Sequence, residues 1–337
     1  MAAVYLPDQT GHVEKRATMR ALQQVSLNGP RDLRLINDAP VPSPGADEVL
    51  IRVVAAGVNF ADISRAQGTF GGGPQAPYLA GFEAAGEVVA ATDQRRIGTH
   101  VVGVGYGAFA EYMVLPAVAA MPVPPGWSPE QALGLAVNWP TALAALKPLG
   151  RVTAGETVLI HAAAGATGQA AVALAKHYGA TVIAAAAAGK HATVRALGAD
   201  HVVDSRATDL SAEILRCTDG VDLVLESAGG ATFQASLAVT TPVTGRVVVY
   251  GLAGGEAAVT NWELVYRHQV ALIGLNIGVL AQAAPRIFGE VLTELSSLVA
   301  TGVLAPANPA VHDLADGPKV LAELSARATV GKQALRP

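Results

Sequence analysis

The chain has 337 residues, 51% apolar and 15% charged, with a formal net charge of −4. That length exceeds one ordinary core and implies two domains of a folded protein rather than a disordered one. The mild negative charge without a basic block argues against nucleic acid and anionic membrane surfaces as partners, and the single cysteine, Cys217, excludes an internal disulfide framework or a cysteine-rich zinc lobe.

The opening stretch, MAAVYLPDQTGHVEKRAT, has no apolar core of signal-peptide length. Residues 1–18 are read as a polar extension. Met19 is an equally good start, because regular patterning begins there. No run of 18 uninterrupted apolar residues occurs to span a membrane, and sparse cysteine fits a reducing, cytoplasmic setting.

Residues 19–125 read as β-rich. EVLIRVVAAGV, AAGEVVAA, THVVGVGY and AEYMVLP are short valine-rich runs divided by Gly and Pro. A proline-punctuated stretch follows, and a helix is expected from Ser128, with Glu130 and Gln131 in its first turn. From residue 155 the rhythm changes. ETVLIHA, ATVIAAA, DHVVD, VDLVLES and GRVVVYG read as strands, with VALIGLN as a sixth. Helices lie between the first five: GQAAVALAKHYG, KHATVRALG, DLSAEILRCTDG with Asp209 as N-cap, and TFQASLAV. Strands alternating with helices imply right-handed βαβ units and a parallel sheet covered on both faces. A long amphipathic helix is expected over residues 281–301, then a tail too small to be a domain.

The stretch ETVLIHAAAGATGQAAVALA is a strand, a tight turn and a helix start. Gly165 and Gly168 have A-x-x-G-x-x-G spacing counted from Ala162. Missing side chains would let the backbone approach a pyrophosphate, with free N–H groups and the positive helix end facing the anion. The bland alternative is close packing of helix on sheet. The position between strand and helix favours the nucleotide. An NAD site normally has an acid at the end of the second strand, to bond the ribose. Residues 184–188 are all alanine, and Lys190 follows, with His191, Arg195 and Arg206 nearby. A cation suits a 2′-phosphate, so the expected cofactor is NADPH.

These motifs carry a resemblance. AAGVNFADISRAQGTF, PYLAGFEAAGEVV, GAFAEYMVLP, NWPTALAAL, the glycine stretch, RALGADHVVD, GVDLVLESAGG, GRVVVYG and GKQALRP recur in the order found in the zinc-independent, zeta-crystallin-like quinone oxidoreductases of the medium-chain dehydrogenase/reductase superfamily. The chain resembles that branch from about Met19 onward. The resemblance implies an α/β fold: a doubly wound parallel Rossmann sheet plus a β-rich, GroES-like catalytic domain. The expected division is extension 1–18, GroES-like domain 19–140, NADPH-binding Rossmann domain 141–278, and a segment 279–337 returning to the catalytic domain. It also implies a homo-oligomer, a homodimer first.

Zinc-dependent relatives have GHE where this chain has Gly81-Phe82-Glu83, and cysteine where it has Asn59. Catalytic zinc needs thiolate, imidazole or carboxylate donors converging on one point. Phe82 and Asn59 supply none, and Cys217 lies far along the chain, so no metal is expected. Glu83 is read as a structural carboxylate bonding nearby backbone or Arg.

By resemblance, Gly165, Ala166, Thr167 and Gly168 hold the pyrophosphate and Lys190 the 2′-phosphate, with Ser205 and Arg206 beside the adenosine end. Tyr250 and Gly251 would lie along the cofactor. Leu275 and Asn276 would present backbone to the nicotinamide amide. Asn59 and Thr141 would line the nicotinamide end, with Lys332 near it or, on the bland reading, solvated. Three positions depart from the family: Ser64 and Phe70 replace tyrosines, and Ser205 replaces a tyrosine near the adenosine phosphate.

The expected reaction is hydride transfer from NADPH to a quinone or an α,β-unsaturated carbonyl. Oxygen would be stabilised by a hydrogen-bond donor: Asn59 first, Ser64 second, Tyr106 third, with water as another proton source. Two alternatives stand beside it. One is a specialised enoyl or ketone reductase of secondary metabolism. The other is a non-catalytic NADPH-binding protein on the same fold.

Overall fold

A computed structural model describes residues 18–337 in full. Before them it describes only the backbone of two short antiparallel strands, Tyr5–Pro7 and Val13–Lys15. The extension expected over residues 1–18 otherwise lies outside the described residues. The chain divides into two compact units, Met1–Val137 with Pro306–Pro337, and Asn138–Ala305.

The first unit is built on the eleven-residue strand Glu48–Val58. It pairs antiparallel with Glu83–Ala91, with Tyr112–Pro116, and with the last strand of the chain, Gln333–Arg336. His100–Val104 and Met121–Pro122 extend the sheet on one side, and Ala310–Asp313 on the other. Successive side chains of a strand point to opposite faces. Val49, Ile51 and Val53 therefore enter a core with Leu22, Phe109, Met113 and Leu335, while Leu50 joins Met19, Ala21 and Tyr112. Both faces are covered, which is why EVLIRVVAAGV is apolar almost throughout. A second sheet pairs Thr18–Gln24 with Leu33–Pro40 and Tyr78–Leu79.

The second unit holds six parallel strands: Thr157–Ile160, Thr181–Ala186, His201–Asp204, Leu223–Glu226, Arg246–Val249 and Ala271–Gly274. Numbered along the chain, their order across the sheet is 3-2-1-4-5-6, the doubly wound dinucleotide-binding arrangement. Order reverses between the first and fourth strands, so the crevice for a ligand lies at their carboxyl ends. The intervening helices end as expected: Gly179 and Gly198 take positive φ (79° and 92°), and the Asp209 side chain accepts from Ala212 N at 2.9 Å. The opposite end of the sheet is tied by buried Arg246, whose guanidinium bonds Glu156 bidentately at 2.7 and 2.6 Å and also donates to three backbone carbonyls.

Two helix expectations fail. After Ser128 the chain makes only the 3₁₀ turn Glu130–Ala132, although Ser128 and Gln131 do cap each other reciprocally. Gly134, at φ 95°, turns the backbone away, and a helix forms only at Asn138–Ala144. The long helix over 281–301 is two helices, Ile277–Ala283 and Pro285–Ala300. Pro285 lacks an N–H and forces Ala284 out of the helical region, to φ −135° and ψ 59°. Both helices belong to the second unit, so the return to the first unit comes after residue 305 rather than at 279. Among the described residues no helix is long and apolar enough to cross a membrane.

Candidate functional site

Each unit carries one concentration of the expected residues. In the second, the chain leaves the first strand at His161 and turns through Ala162, at φ 47°, to Gly165. Gly165 is the N-cap of the twelve-residue helix Ala166–His177, and no side chain caps it. The two glycines do different work. A Cβ on Gly168 would run into the Ala162 carbonyl oxygen and lie 2.6 Å from Ala163 Cα, so Gly168 is required for packing the helix on the turn. A Cβ on Gly165 would meet only Ala162 O, at 3.3 Å. Gly165 is therefore the position where backbone can be approached from outside, whereas Gly168 is needed for packing, whatever its backbone contacts. Asn138 Nδ2 donates to Thr167 Oγ1 at 2.9 Å, fixing the loop hydroxyl. Asn138 was not among the expected residues, whereas its neighbour Thr141, one turn on and buried, was.

A buried polar triad underlies this turn. Ser236 Oγ donates to Glu226 Oε2 at 2.6 Å and lies 2.9 Å from His161 Nε2. With that hydroxyl proton spent on Glu226, His161 carries its proton on Nε2, and Nδ1 is left without a partner. Burial lowers the His161 pKa, with the Glu226 carboxylate opposing. Glu226 also accepts from Ala228 N and Gly229 N, at 2.7 and 2.9 Å, shaping the turn after the fourth strand. The triad thus pins both turns flanking the crevice. Its members lie at most 1% exposed, inside the fold rather than on a surface that meets substrate.

Lys190 follows the second strand on a short 3₁₀ turn. Its pKa is lowered by burial and then by Arg206 beyond the third strand. Two cations that repel one another near the ends of adjacent strands favour an anion beside them. Ser205 bonds back to Ala186 O through its N–H, at 3.1 Å. Tyr250 bonds Glu226 O through its N–H, and burial raises the pKa of its hydroxyl against the pull of Ser227. A Cβ on Gly251 would sit 2.6 Å from Ser227 O. Leu275 is buried, and the Asn276 side chain caps Ile277–Ala283 by accepting from Gly278 N and Val279 N. An open glycine at a helix start and two neighbouring cations fit a phosphorylated dinucleotide.

In the first unit, Asn59, Glu83 and Lys332 form one buried cluster. Lys332 Nζ donates to Glu83 Oε2 at 2.6 Å and to Asn59 Oδ1 at 2.8 Å. Asn59 Nδ2 donates to Glu83 Oε2 at 2.8 Å and to Gly57 O at 3.3 Å. Glu83 Oε1 accepts from Gly134 N at 2.6 Å. Glu83 thus bonds backbone as expected, its charged partner is a lysine and not an arginine, and the bland reading of Lys332 as a solvated cation fails. Asn59 also begins helix Phe60–Ala66, where its N–H bonds Asp62 Oδ2 at 2.9 Å. Asp62 is buried, and burial pushes its pKa up to about 7 against the pull of its Asn59 bond, Arg65 and Lys332. Half-buried Tyr78 has its pKa pushed up to about 12 by burial and by Asp62. The Arg65 guanidinium lies over Phe82 at 4.3 Å and over Phe70 at 5.0 Å. Ser64 is partly exposed on the same helix, whereas Tyr106 is 80% exposed. Asp62 and Tyr78 were missed; both occur within quoted stretches, but nothing local marks them as neighbours.

Zinc does not fit this cluster. Phe82 offers no donor atom, and the Asn59 oxygen and both Glu83 oxygens already accept from protein groups. Among the described residues no group of three or more His, Cys, Asp or Glu could hold a metal.

Two family models match the chain: an alcohol dehydrogenase GroES-like domain over residues 45–125, and a zinc-binding dehydrogenase over residues 166–297. Prostaglandin reductase-3 of Bos taurus is 39% identical over 76% of this chain and 69% of its own length. A quinone oxidoreductase of Pseudomonas syringae, 30% identical, superposes with a TM-score of 0.86 over 95% of this chain and all of that one. A mycobacterial protein solved with NADPH, also 30% identical, superposes with a TM-score of 0.87 over the same shares. With its GroES-like first unit and parallel-sheet second unit, the chain belongs to the quinone-oxidoreductase-like branch of the medium-chain dehydrogenase/reductase superfamily.

Proposed function

We propose that this chain is an NADPH-dependent oxidoreductase that reduces a quinone or an α,β-unsaturated carbonyl without zinc. One observation carries the reading. A glycine-lined turn opens a twelve-residue helix at the switch point of a 3-2-1-4-5-6 sheet, and the next strand is followed by Lys190, with no acid at the strand end where an NAD site has one.

When bound, NADPH supplies the hydride. The Gly165 N–H is spent on Ala162 O at 2.8 Å, so the N–H groups that follow it at the start of helix Ala166–His177 would face the pyrophosphate, and Lys190 with Arg206 would neutralise the 2′-phosphate. Tyr250, Gly251, Leu275 and Asn276 border the cofactor from the fifth and sixth strands, and Ser205 its adenosine end. Thr141 borders the nicotinamide end. The amide of Asn59 is held rigidly by Lys332 and Glu83, so it positions rather than relays a proton. Ser64 or water then protonates the reduced acceptor, while Tyr106, projecting into solvent, drops to last place. Proximity and exclusion of water supply the rate, as in other hydride transfers to electron-poor acceptors.

The reading extends to a cytoplasmic homodimer. The sixth strand, Ala271–Gly274, is the outer edge of its sheet, and Trp262, Val265 and Tyr266 are exposed shortly before it in the chain. Light scattering at working concentration gives the mass.

The test is NADPH and NADH oxidation against a panel of benzoquinones, naphthoquinones and enones. Turnover with NADPH is expected. No turnover with any acceptor, together with oxidation of simple alcohols on adding zinc, would refute the proposal. The loss of tyrosine at Ser64 and Phe70 favours a second reading, a specialised enoyl or ketone reductase, shown by activity confined to thioester enoyl or ketone acceptors. A rise in melting temperature with NADPH but no turnover anywhere identifies a binding protein instead.

A further inference from the structure

Lys332 owes its place to strand register. Gln333 lies opposite Val58, which sets Lys332 beside Asn59, and Glu83 lies opposite Gly57 on the other side of the same strand. The two charged side chains meet over Gly57. A Cβ there would sit 2.8 Å from Glu83 Cδ and 2.9 Å from Lys332 Cε, so the missing side chain is what makes room for the pair. Asn59 and Glu83 occupy positions that are cysteine and the glutamate of GHE in zinc-dependent relatives, and Phe82 occupies that of the histidine. Without a thiolate at 59 and an imidazole at 82, Glu83 is the single formal negative charge on the three positions. One ammonium matches it, with its nitrogen 2.6 Å from the carboxylate and 2.8 Å from the amide oxygen.

We infer that the Lys332 ammonium is the resident cation of this pocket. It stands in the place that metal takes in zinc-dependent members, holds Asn59 and Glu83 in a fixed arrangement around itself, and shuts divalent metal out. Lys332 is accordingly a positioning residue, and the inference holds whatever cofactor the second unit binds. A buried carboxylate needs a compensating positive charge, and a metal with two charges is more than Glu83 alone can balance. The lysine therefore goes with the loss of the other two donors.

The test puts the donors back with and without the lysine. N59C/F82H and N59C/F82H/K332A are titrated with cobalt(II), following the ligand-field absorption of a thiolate–imidazole site. The triple variant is expected to bind one cobalt, and the double variant roughly tenfold or more weakly. Equal affinity would overturn the inference, and so would absence of binding by a triple variant whose circular dichroism matches wild type. Should the triple variant not fold, Lys332→Met and K332M/E83Q decide. The single change is expected to lower the melting temperature by stranding Glu83, and the paired change to recover more than half of the loss. No recovery would show that charge compensation is not what Lys332 provides. None of these readouts uses NADPH, so their failure leaves the reductase reading standing.

Discussion

Asp62 offers the sharpest check on the electrostatics of the first unit. Its carboxyl is 4% exposed, one oxygen accepts from Asn59 N, and the other has no partner. Burial lifts its pKa to about 7, from an ordinary value near 4. The folded protein therefore holds a proton that the unfolded chain has released, and stability falls as pH rises between those two values. The slope is about 1.4 kcal/mol per pH unit, so from pH 5 to pH 8 the loss is on the order of 3 kcal/mol, complete once pH passes the folded pKa. Asp62→Asn keeps an oxygen for the Asn59 N–H and has no proton to lose. Relative to this variant, wild type should lose about 5–10 °C of melting temperature in the first unit across that window, at 2–4 °C per kcal/mol for a unit of this size. Differential scanning calorimetry at fixed ionic strength and half-unit pH steps resolves it. A wild-type-minus-variant gap that stays constant from pH 5 to pH 8 would refute the argument, because it would mean that Asp62 is charged throughout.

The second unit yields three further expectations. Gly165→Ala should fold with a cost of about 1 kcal/mol or less as an N-cap change, yet weaken NADPH binding by about tenfold; Gly168→Ala should instead cost about 1–3 kcal/mol of stability through backbone collision, and nucleotide fluorescence with thermal melts separates the two. Lys190→Ala should weaken NADPH by about ten- to a hundredfold, the worth of a charged hydrogen bond, and leave NADH unchanged; equal losses for both would remove the 2′-phosphate assignment. Arg246→Met strands Glu156 and three carbonyls, so a loss of about 3–5 kcal/mol is expected by denaturant unfolding, with the NADPH dissociation constant unaltered below the transition.

The second unit was readable in the sequence because its signals are local. The strands are short apolar runs, three of the helices between them close on a glycine or open on an aspartate cap, and their alternation dictates the topology. The two helix failures, one in each unit, had local causes as well: Gly134 and Pro285 both stand in the sequence as helix breakers, and amphipathic spacing over 281–301 masked the proline. The cluster in the first unit had no such signal. Asn59 and Lys332 are 273 positions apart, and neither GVNFAD nor VGKQAL says that they touch. What joins them is the pairing of Gln333 with Val58, and side chains on a strand alternate, so a slip of one residue would turn Lys332 to the other face. The same holds for His161, Ser236 and Glu226, which lie on a strand end, a helix and another strand end. Sequence motifs located the loop that meets a cofactor, whereas the groups that fix its geometry became visible only through sheet register. An insertion of one residue between Lys332 and Gln333 therefore tests that register directly. If the terminal strand keeps its register so that Ala334 and Leu335 stay buried, the lysine moves one position back, the ammonium is lost from Glu83 and the melting temperature should fall as it does in Lys332→Met, although the lysine is still in the chain.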